Sequence, residues 1–142
     1  MTEAAARELS ARLGSIPYAQ FLGLSWRLEG QHVTAMLAYR ESNVGNPLLP
    51  ALHGGVIGAL LEFSAIVQLA VDLGEGHLPK PINLTVEYRR SGRPVDTFST
   101  ATVTKLGRRV ANVSALAWQD DKSRPIAVAH GHFLLATDSS AD

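Results

Sequence analysis

A single carboxylate, Glu62, interrupts an apolar stretch that is long enough to form a buried helix. It is the only formally charged residue between His53 and Asp72. A carboxylate that leaves water is costly to keep charged, so it acquires either a raised pKa or a dedicated partner. Either outcome makes Glu62 a candidate general base or nucleophile. The alternative is a structural carboxylate that pairs with an arginine or reaches solvent at a subunit boundary.

The same stretch begins with His53, Gly54 and Gly55, just before the apolar residues start. The glycines are therefore expected at a helix N-terminus, where backbone N–H groups lack intrahelical partners and the positive end of the dipole lies. Without Cβ atoms, this turn would let a carbonyl oxygen or an oxyanion approach the amides. The simpler explanation is that the glycines only permit a tight turn or close packing.

Helix geometry relates these two features. Gly54 and Glu62 are eight residues apart, about two turns of a helix, which predicts both on roughly the same face. His53 could orient the turn, donate to a carbonyl oxygen, or simply pack. The other histidines show no spacing with carboxylates that is typical of a metal site, so we expect none. They are His32, His77, His130 and His132.

Six of the thirteen Lys and Arg residues fall between positions 89 and 109. They flank predicted turns, so they could form a rim that binds phosphate groups. They could equally be solvated loop charges. These residues are Arg89, Arg90, Arg93, Lys105, Arg108 and Arg109.

Composition limits the class of protein. The 142 residues are 46% hydrophobic and contain no cysteine, so we expect one domain over 1–142 whose core needs no disulfide. A formal charge of zero gives no electrostatic case for nucleic acid or an anionic membrane. The first residues lack a basic segment followed by an apolar one, which predicts a cytoplasmic protein. Motifs of serine hydrolases and nucleotide hydrolases are absent from the sequence.

The first half of the chain predicts a helical N-terminal segment over 1–22, made of a helix to about Leu13 and a short second one. A β-hairpin follows, with four residues on one face of its second strand. Positions 41–52 are rich in Asn, Gly and Pro and predict a loop before the long apolar helix. The four residues on that strand face are Val33, Ala35, Leu37 and Tyr39.

The second half predicts four strands with short connections, which favours antiparallel neighbours. Two strands present small residues on one face, which suits a bulky element packed closely against them. A sheet that curls around one helix is the economical way to bury that helix. We therefore predict an α+β hotdog fold, with a six-stranded antiparallel sheet wrapped around a long central helix. The strand-face residues are Leu84, Val86 and Tyr88; Ala111, Val113, Ala115 and Ala117; and Ala127, Ala129 and Gly131.

The stretch "HGGVIGALLE" resembles the hotdog acyl-CoA thioesterases of the phenylacetate-degradation type. In that family His-Gly-Gly opens the central helix, and an Asp or Glu follows seven positions after the second glycine. Gly55 and Glu62 have this spacing. The resemblance covers a core of about 23–136, because three later segments are similar to the family's strands in the same order. These are "INLTVEYRRSG", "GRRVANVSALAW" and "IAVAHGHFLL".

The resemblance implies hydrolysis of a small, medium-chain or aryl acyl-CoA thioester to the free acid and CoA. It makes Glu62 the nucleophile or general base, Gly54 the amide that polarises the thioester carbonyl, and His53 a neighbour that shapes the turn. It also implies a homodimer, further paired into a dimer of dimers, with the site between two subunits. CoA is part of the substrate, so no separate cofactor is expected. Expected substrate and CoA contacts are Gly55, Ser64, Arg89, Arg90, Arg108 and Arg109.

Two positions depart from the family pattern. Many members place Gln or Asn fifteen positions before the carboxylate, where this chain has Pro47 with Asn46 beside it. Many place Ser or Thr four positions after it, where this chain has Ile66 with Ser64 nearby. Asn46 is therefore the candidate for the missing polar role. The alternative is a non-catalytic module that binds or senses acyl-CoA; a hotdog hydratase would need an acid–histidine dyad in a motif absent from the sequence.

Overall fold

The computed structural model describes residues 2–74 and 78–135. Two parts of the sequence prediction, His77 and the end of the core at Ala136, lie outside them. The helices are α1 (Glu3–Gly14), α2 (Pro17–Leu22) and α3 (Gly54–Leu73). The strands are β1 (Leu24–Glu29), β2 (His32–Leu37), β3 (Val44–Asn46), β4 (Ala51–Leu52), β5 (Lys80–Tyr88), β6 (Thr97–Leu106), β7 (Val110–Trp118) and β8 (Ala127–Leu134).

Six strands form one sheet in the order β1-β2-β6-β7-β8-β5, and every neighbouring pair is antiparallel. The long helix α3 packs across this sheet, mostly against β6, β7 and β2. The chain thus has the architecture of the hotdog fold, and the predicted α+β class is confirmed. Strands β1 and β5 are the two edges.

The core lies between α3 and the sheet. Leu60 and Leu61 of α3 are completely buried there. The sheet presents small side chains to the helix, as predicted: Ala111 and Ala117 of β7 and Ala127 of β8 are also fully buried. Small residues let the helix approach the strands closely, so the leucines are tightly surrounded. Truncating one such leucine to alanine would cost about 2–5 kcal/mol.

Helix α3 has clear ends. It begins after His53, which is the N-cap, and ends at Gly74, whose φ of 67° is the left-handed conformation that glycine adopts readily. By length and composition alone α3 could cross a membrane, with a mean hydropathy of 1.8. However, 61% of that apolar window is buried within the fold, as in the core helix of a globular domain.

The N-terminal helices pack on one end of this core, which confirms the predicted helical segment. Leu9 and Leu13 of α1 join Val67 and Val71 of α3 in a second apolar cluster. The Trp26 Nε1–H group of β1 donates to a carbonyl of α1, 2.7 Å away. These contacts fix α1 against both the sheet edge and α3.

Positions 41–52 differ from the predicted loop. They form a short 3-10 turn and a two-stranded sheet of β3 and β4. The buried Asn43 side chain holds the segment by donating to the Leu22 carbonyl oxygen at 2.9 Å, and the Asn43 carbonyl accepts from the His53 N–H at 2.8 Å. These long-range bonds order a segment whose composition is typical of loops.

Tyr39 also differs from its prediction. Strand β2 ends at Leu37, and the Tyr39 side chain is 43% exposed rather than buried with Val33, Ala35 and Leu37. The cause is local, because the Tyr39 N–H donates to the Asp96 carboxylate at 2.7 Å instead of continuing the strand ladder.

Candidate active site

The start of α3 is organised by His53. Its Nδ1 accepts a hydrogen bond from the Gly55 N–H at 2.8 Å, and its carbonyl oxygen accepts from the N–H groups of Val56 and Ile57. Because Nδ1 is an acceptor here, a neutral His53 ring carries its proton on Nε2. The side chain is exposed, so this Nε2–H is accessible to a ligand.

One backbone donor of this first turn stays free. The amides of Gly55, Val56 and Ile57 all bond to His53, whereas the Gly54 N–H has no partner among residues 2–74 and 78–135. It lies at the positive end of a 20-residue helix. The structure therefore offers Gly54 as a hydrogen-bond donor to a ligand, whereas the Gly55 N–H is already bonded to His53.

Glu62 lies in the middle of α3 and is half-buried. Burial raises the pKa of its carboxyl group by desolvation. Its carboxylate has no hydrogen-bond or ion-pair partner in the described part of the chain, so the structural arginine pair considered above is not found there. It shares a helix face with Gly55, Gly58 and Ile66, which the chain's own sheet leaves partly uncovered.

Tyr88, at the end of β5, contacts the helix start directly. Its hydroxyl donates to the Gly54 carbonyl oxygen at 2.7 Å. Its ring lies 3.5 Å from the position that a Cβ would take on Gly54, and its hydroxyl 3.4 Å from that of Gly58. Sequence reasoning missed this contact. The period-two pattern of Leu84, Val86 and Tyr88 indicated the correct strand face but not the partner at its end.

A pocket of about 350 Å³ opens at this point. It brings Gly54 and Tyr88 together with two of the predicted phosphate-binding residues, Arg89 and Arg90. Glu62 is not among its lining residues in a single chain. The full lining is Ala51, Leu52, Gly54, Ile57, Tyr88, Arg89, Arg90, Ser91 and Gly92.

Arg108 and Arg109 lie elsewhere, at the turn between β6 and β7. With Lys105 they line a separate cleft of about 470 Å³. A single chain therefore does not bring them to the Gly54 pocket. Arg93, the remaining arginine of the basic cluster, is ion-paired with Asp120.

Residues 49–126 match the family model of the thioesterase superfamily, which covers more than half of the chain and includes the whole of α3. The chain belongs to the thioesterase superfamily. No curated protein matches it.

Solved structures share the fold of this chain. A Chromobacterium violaceum protein is 35% identical, with a TM-score of 0.73 and 94% of each chain covered. A Ralstonia eutropha protein related to phenylacetic acid degradation is 20% identical, with a TM-score of 0.76, 89% of this chain and 98% of that chain covered. A Haemophilus influenzae thioesterase is 19% identical, with a TM-score of 0.81, 96% of this chain and 94% of that chain covered. The last two show the shared fold.

Two of the predicted polar site residues, Asn46 and Ser64, either make another contact or face away from Glu62. The Asn46 side chain is turned to its own loop, where its Oδ1 accepts from the Leu48 N–H at 3.0 Å. Ser64 is completely buried, about 200° around the helix from Glu62. Its hydroxyl has no partner among the described residues, but it does not face the surface that carries Glu62. The predicted substrate contact of Ser64 therefore gains no support from the geometry.

No three histidine or acidic side chains cluster to suit a metal ion within residues 2–74 and 78–135. His132 bonds instead to the Asn83 side chain, with 2.9 Å between Nδ1 and Oδ1. Among the described residues, one chain presents a free Gly54 amide beside Arg89 and Arg90 at the pocket, and a half-buried carboxylate, Glu62, elsewhere on the same helix. Brought together, such groups can polarise a carbonyl and attack it or activate water.

Proposed function

We propose that this member of the thioesterase superfamily hydrolyses a small, medium-chain or aryl acyl-CoA thioester to the free acid and CoA. The observation that carries the proposal is the Gly54 N–H, which has no partner among the described residues, on the helix that also bears Glu62, likewise without a partner there. Superfamily membership supports thioester hydrolysis in general. The relation of the Ralstonia eutropha protein to phenylacetic acid degradation supports the aryl group as one option.

In the proposed reaction the Gly54 N–H donates to the thioester carbonyl oxygen, and this bond strengthens as negative charge develops there. The Glu62 carboxylate then acts in one of two ways. As nucleophile it forms a C–O bond while the C–S bond breaks, CoA leaves as the thiolate, and water hydrolyses the resulting anhydride. As general base it takes a proton from water, whose oxygen attacks the carbonyl carbon; the C–S bond of the tetrahedral intermediate then breaks, and the CoA thiolate leaves and takes up the proton from Glu62. His53 Nε2–H is a second donor within the same turn.

The proposed site needs two chains. In one chain Glu62 does not line the Gly54 pocket, and the α3 face around Gly58 and Ile66 is partly uncovered. Edge strand β5 also leaves Ile82 exposed, and pairing with a second copy would cover such an edge. We propose a homodimer, further paired into a dimer of dimers, in which Glu62 of one protomer faces Gly54 of its partner. A monomeric mass in solution would contradict this.

The remaining parts of the proposal concern CoA and location. In this proposal Arg89 and Arg90, which line the Gly54 pocket, hold phosphate groups of CoA, and Arg108 and Arg109 are a second basic position at the β6–β7 turn. Asn46 would have to release its loop contact to act in catalysis. We propose a cytoplasmic enzyme with no separate cofactor or metal and with no nucleic-acid or membrane partner.

The decisive experiment is thiol release from a panel of acyl-CoA substrates by the wild type and Glu62→Gln. Loss of the carboxylate should lower kcat by roughly 10²- to 10⁴-fold, because the amide can neither attack nor accept a proton. Glu8→Gln, on the exposed side of α1, is the matched control and should retain full activity. An unchanged rate in Glu62→Gln would exclude this mechanism.

The second candidate function is a non-catalytic acyl-CoA binding or sensing module. It is favoured by the Asn46 loop contact and by Pro47 at the position where many relatives carry a polar side chain. Tight binding of acyl-CoA by the wild type, with no thiol released from any substrate, would establish this function instead.

A further inference from the structure

Both ends of one peptide unit, between Gly54 and Gly55, are held by side chains. Its carbonyl oxygen accepts from the Tyr88 hydroxyl at 2.7 Å, and its N–H donates to His53 Nδ1 at 2.8 Å. Glycine restrains its own backbone least of all residues, so these bonds add to the restraint that helix α3 imposes on its first turn. We call this pair of bonds the Gly54–Gly55 clamp.

The clamp lies next to the free donor. The Gly54 N–H is attached to the same residue whose carbonyl Tyr88 holds, so the orientation of the clamped peptide limits rotation about the Gly54 backbone. The orientation of an oxyanion donor matters, because such donors act only when they are preorganised at about 2.7–3.1 Å from the developing charge.

Packing alone does not explain Tyr88. The side chain is 53% exposed, so it adds little to the core, yet its hydroxyl is within hydrogen-bond distance of the Gly54 carbonyl oxygen, at 2.7 Å.

We propose that Tyr88 is a positioning residue, which holds the Gly54–Gly55 peptide so that the Gly54 N–H keeps its aim at the substrate carbonyl. This inference rests on the proposed thioesterase function. Tyr88 acts through Gly54, so its hydroxyl contributes to the chemical step more than to substrate binding.

Tyr88→Phe tests the proposal, because it removes the hydroxyl and keeps the ring. We expect kcat to fall about five- to tenfold, the effect of losing one neutral hydrogen bond, with KM within about twofold of the wild type. Tyr39→Phe is the matched control, since that exposed hydroxyl bonds to none of the described residues and its removal should change neither constant. An unchanged kcat in Tyr88→Phe, or a loss confined to KM, would overturn the proposal.

A double-mutant cycle with His53→Ala separates positioning from general loosening. Tyr88 and His53 hold the same peptide, so the kcat loss of the double variant should be clearly smaller than the product of the two single losses. Fully multiplicative losses would show that the two side chains act independently and would contradict the clamp.

The Gly55 amide gives a readout that does not depend on activity. In a ¹H–¹⁵N spectrum, Tyr88→Phe should shift the Gly55 cross peak and speed its hydrogen exchange, while Tyr39→Phe leaves both unchanged. If the wild type hydrolysed no acyl-CoA, the proposed function would fail. The Gly55 cross peak would then be the remaining test of whether Tyr88 holds the Gly54–Gly55 peptide. An unperturbed cross peak would refute it.

Discussion

Two concave regions of this chain differ in how their polar groups are satisfied. The larger, a cleft of about 620 Å³ between α1 and β1, contains two arginines that are both ion-paired, Arg7 with Glu3 and Arg27 with Glu29. Its tryptophan N–H is also bonded. The smaller pocket at the start of α3 has a free Gly54 amide. The regions differ in this backbone donor rather than in their arginines, since Arg89 of the smaller pocket is also ion-paired, with Glu87.

Gly54→Pro is the test of this comparison with the largest expected effect. It deletes the free N–H of the smaller pocket, so kcat should fall roughly 10²- to 10³-fold. Proline is favoured at the first position of a helix, and His53 before it already has the extended conformation that proline requires (φ −62°, ψ 132°). Thermal unfolding should therefore show an unchanged or higher Tm. Arg27→Ala in the larger cleft is the control, with kcat/KM expected within about twofold; full activity in Gly54→Pro would remove Gly54 from the mechanism.

Replacing Arg108 and Arg109 by alanine tests whether the β6–β7 turn belongs to the functional region. If these cations hold the CoA nucleotide, KM for acyl-CoA should rise about tenfold, since charge-assisted bonds to phosphate are lost. An acyl-pantetheine substrate lacks the nucleotide, so its KM should not change. Equal effects on both substrates would argue against nucleotide binding.

The smallest expected effect concerns stability. Burial raises the pKa of Glu62, so the folded protein favours the protonated carboxyl and loses stability as the pH rises from the pKa of an ordinary glutamate through that raised pKa. Glu62→Gln should therefore have a higher Tm than the wild type at pH 7. The difference should shrink as the pH falls through the raised pKa towards that of an ordinary glutamate. Thermal melts across this pH range check the direction of the Tm difference between Glu62→Gln and the wild type. A lower Tm for Glu62→Gln at pH 7 would show that the charged form of Glu62 is stabilised.

Local signals were enough to predict the helix that carries the site. The glycines at both ends of α3, and the apolar residues between them, indicated its start and its end. The spacing of Gly54 and Glu62 predicted both on roughly the same face of that helix. The same arithmetic could have shown that Ser64, two residues after Glu62, points to the opposite side of the helix.

Other features depend on contacts between distant segments. The β3–β4 pair is ordered by the Asn43 side chain reaching α2, and the Tyr88 contact joins residues 34 positions apart. No local pattern encodes such distances. The partner of Glu62 is still harder to predict from the sequence, because the proposed arrangement places that partner on a second chain.

One buried side chain at the far end of α3 has a consequence for motion. The Gln68 Oε1 accepts from the Val33 N–H at 2.8 Å, and its Nε2 donates to the Gln31 carbonyl oxygen at 2.9 Å, which ties the β1–β2 hairpin to the helix. The C-terminal half of α3 is thus anchored on several sides, whereas its first turn is held by a few single bonds. Such a helix is expected to have a gradient of local stability, in which its C-terminal half opens less readily than its first turn.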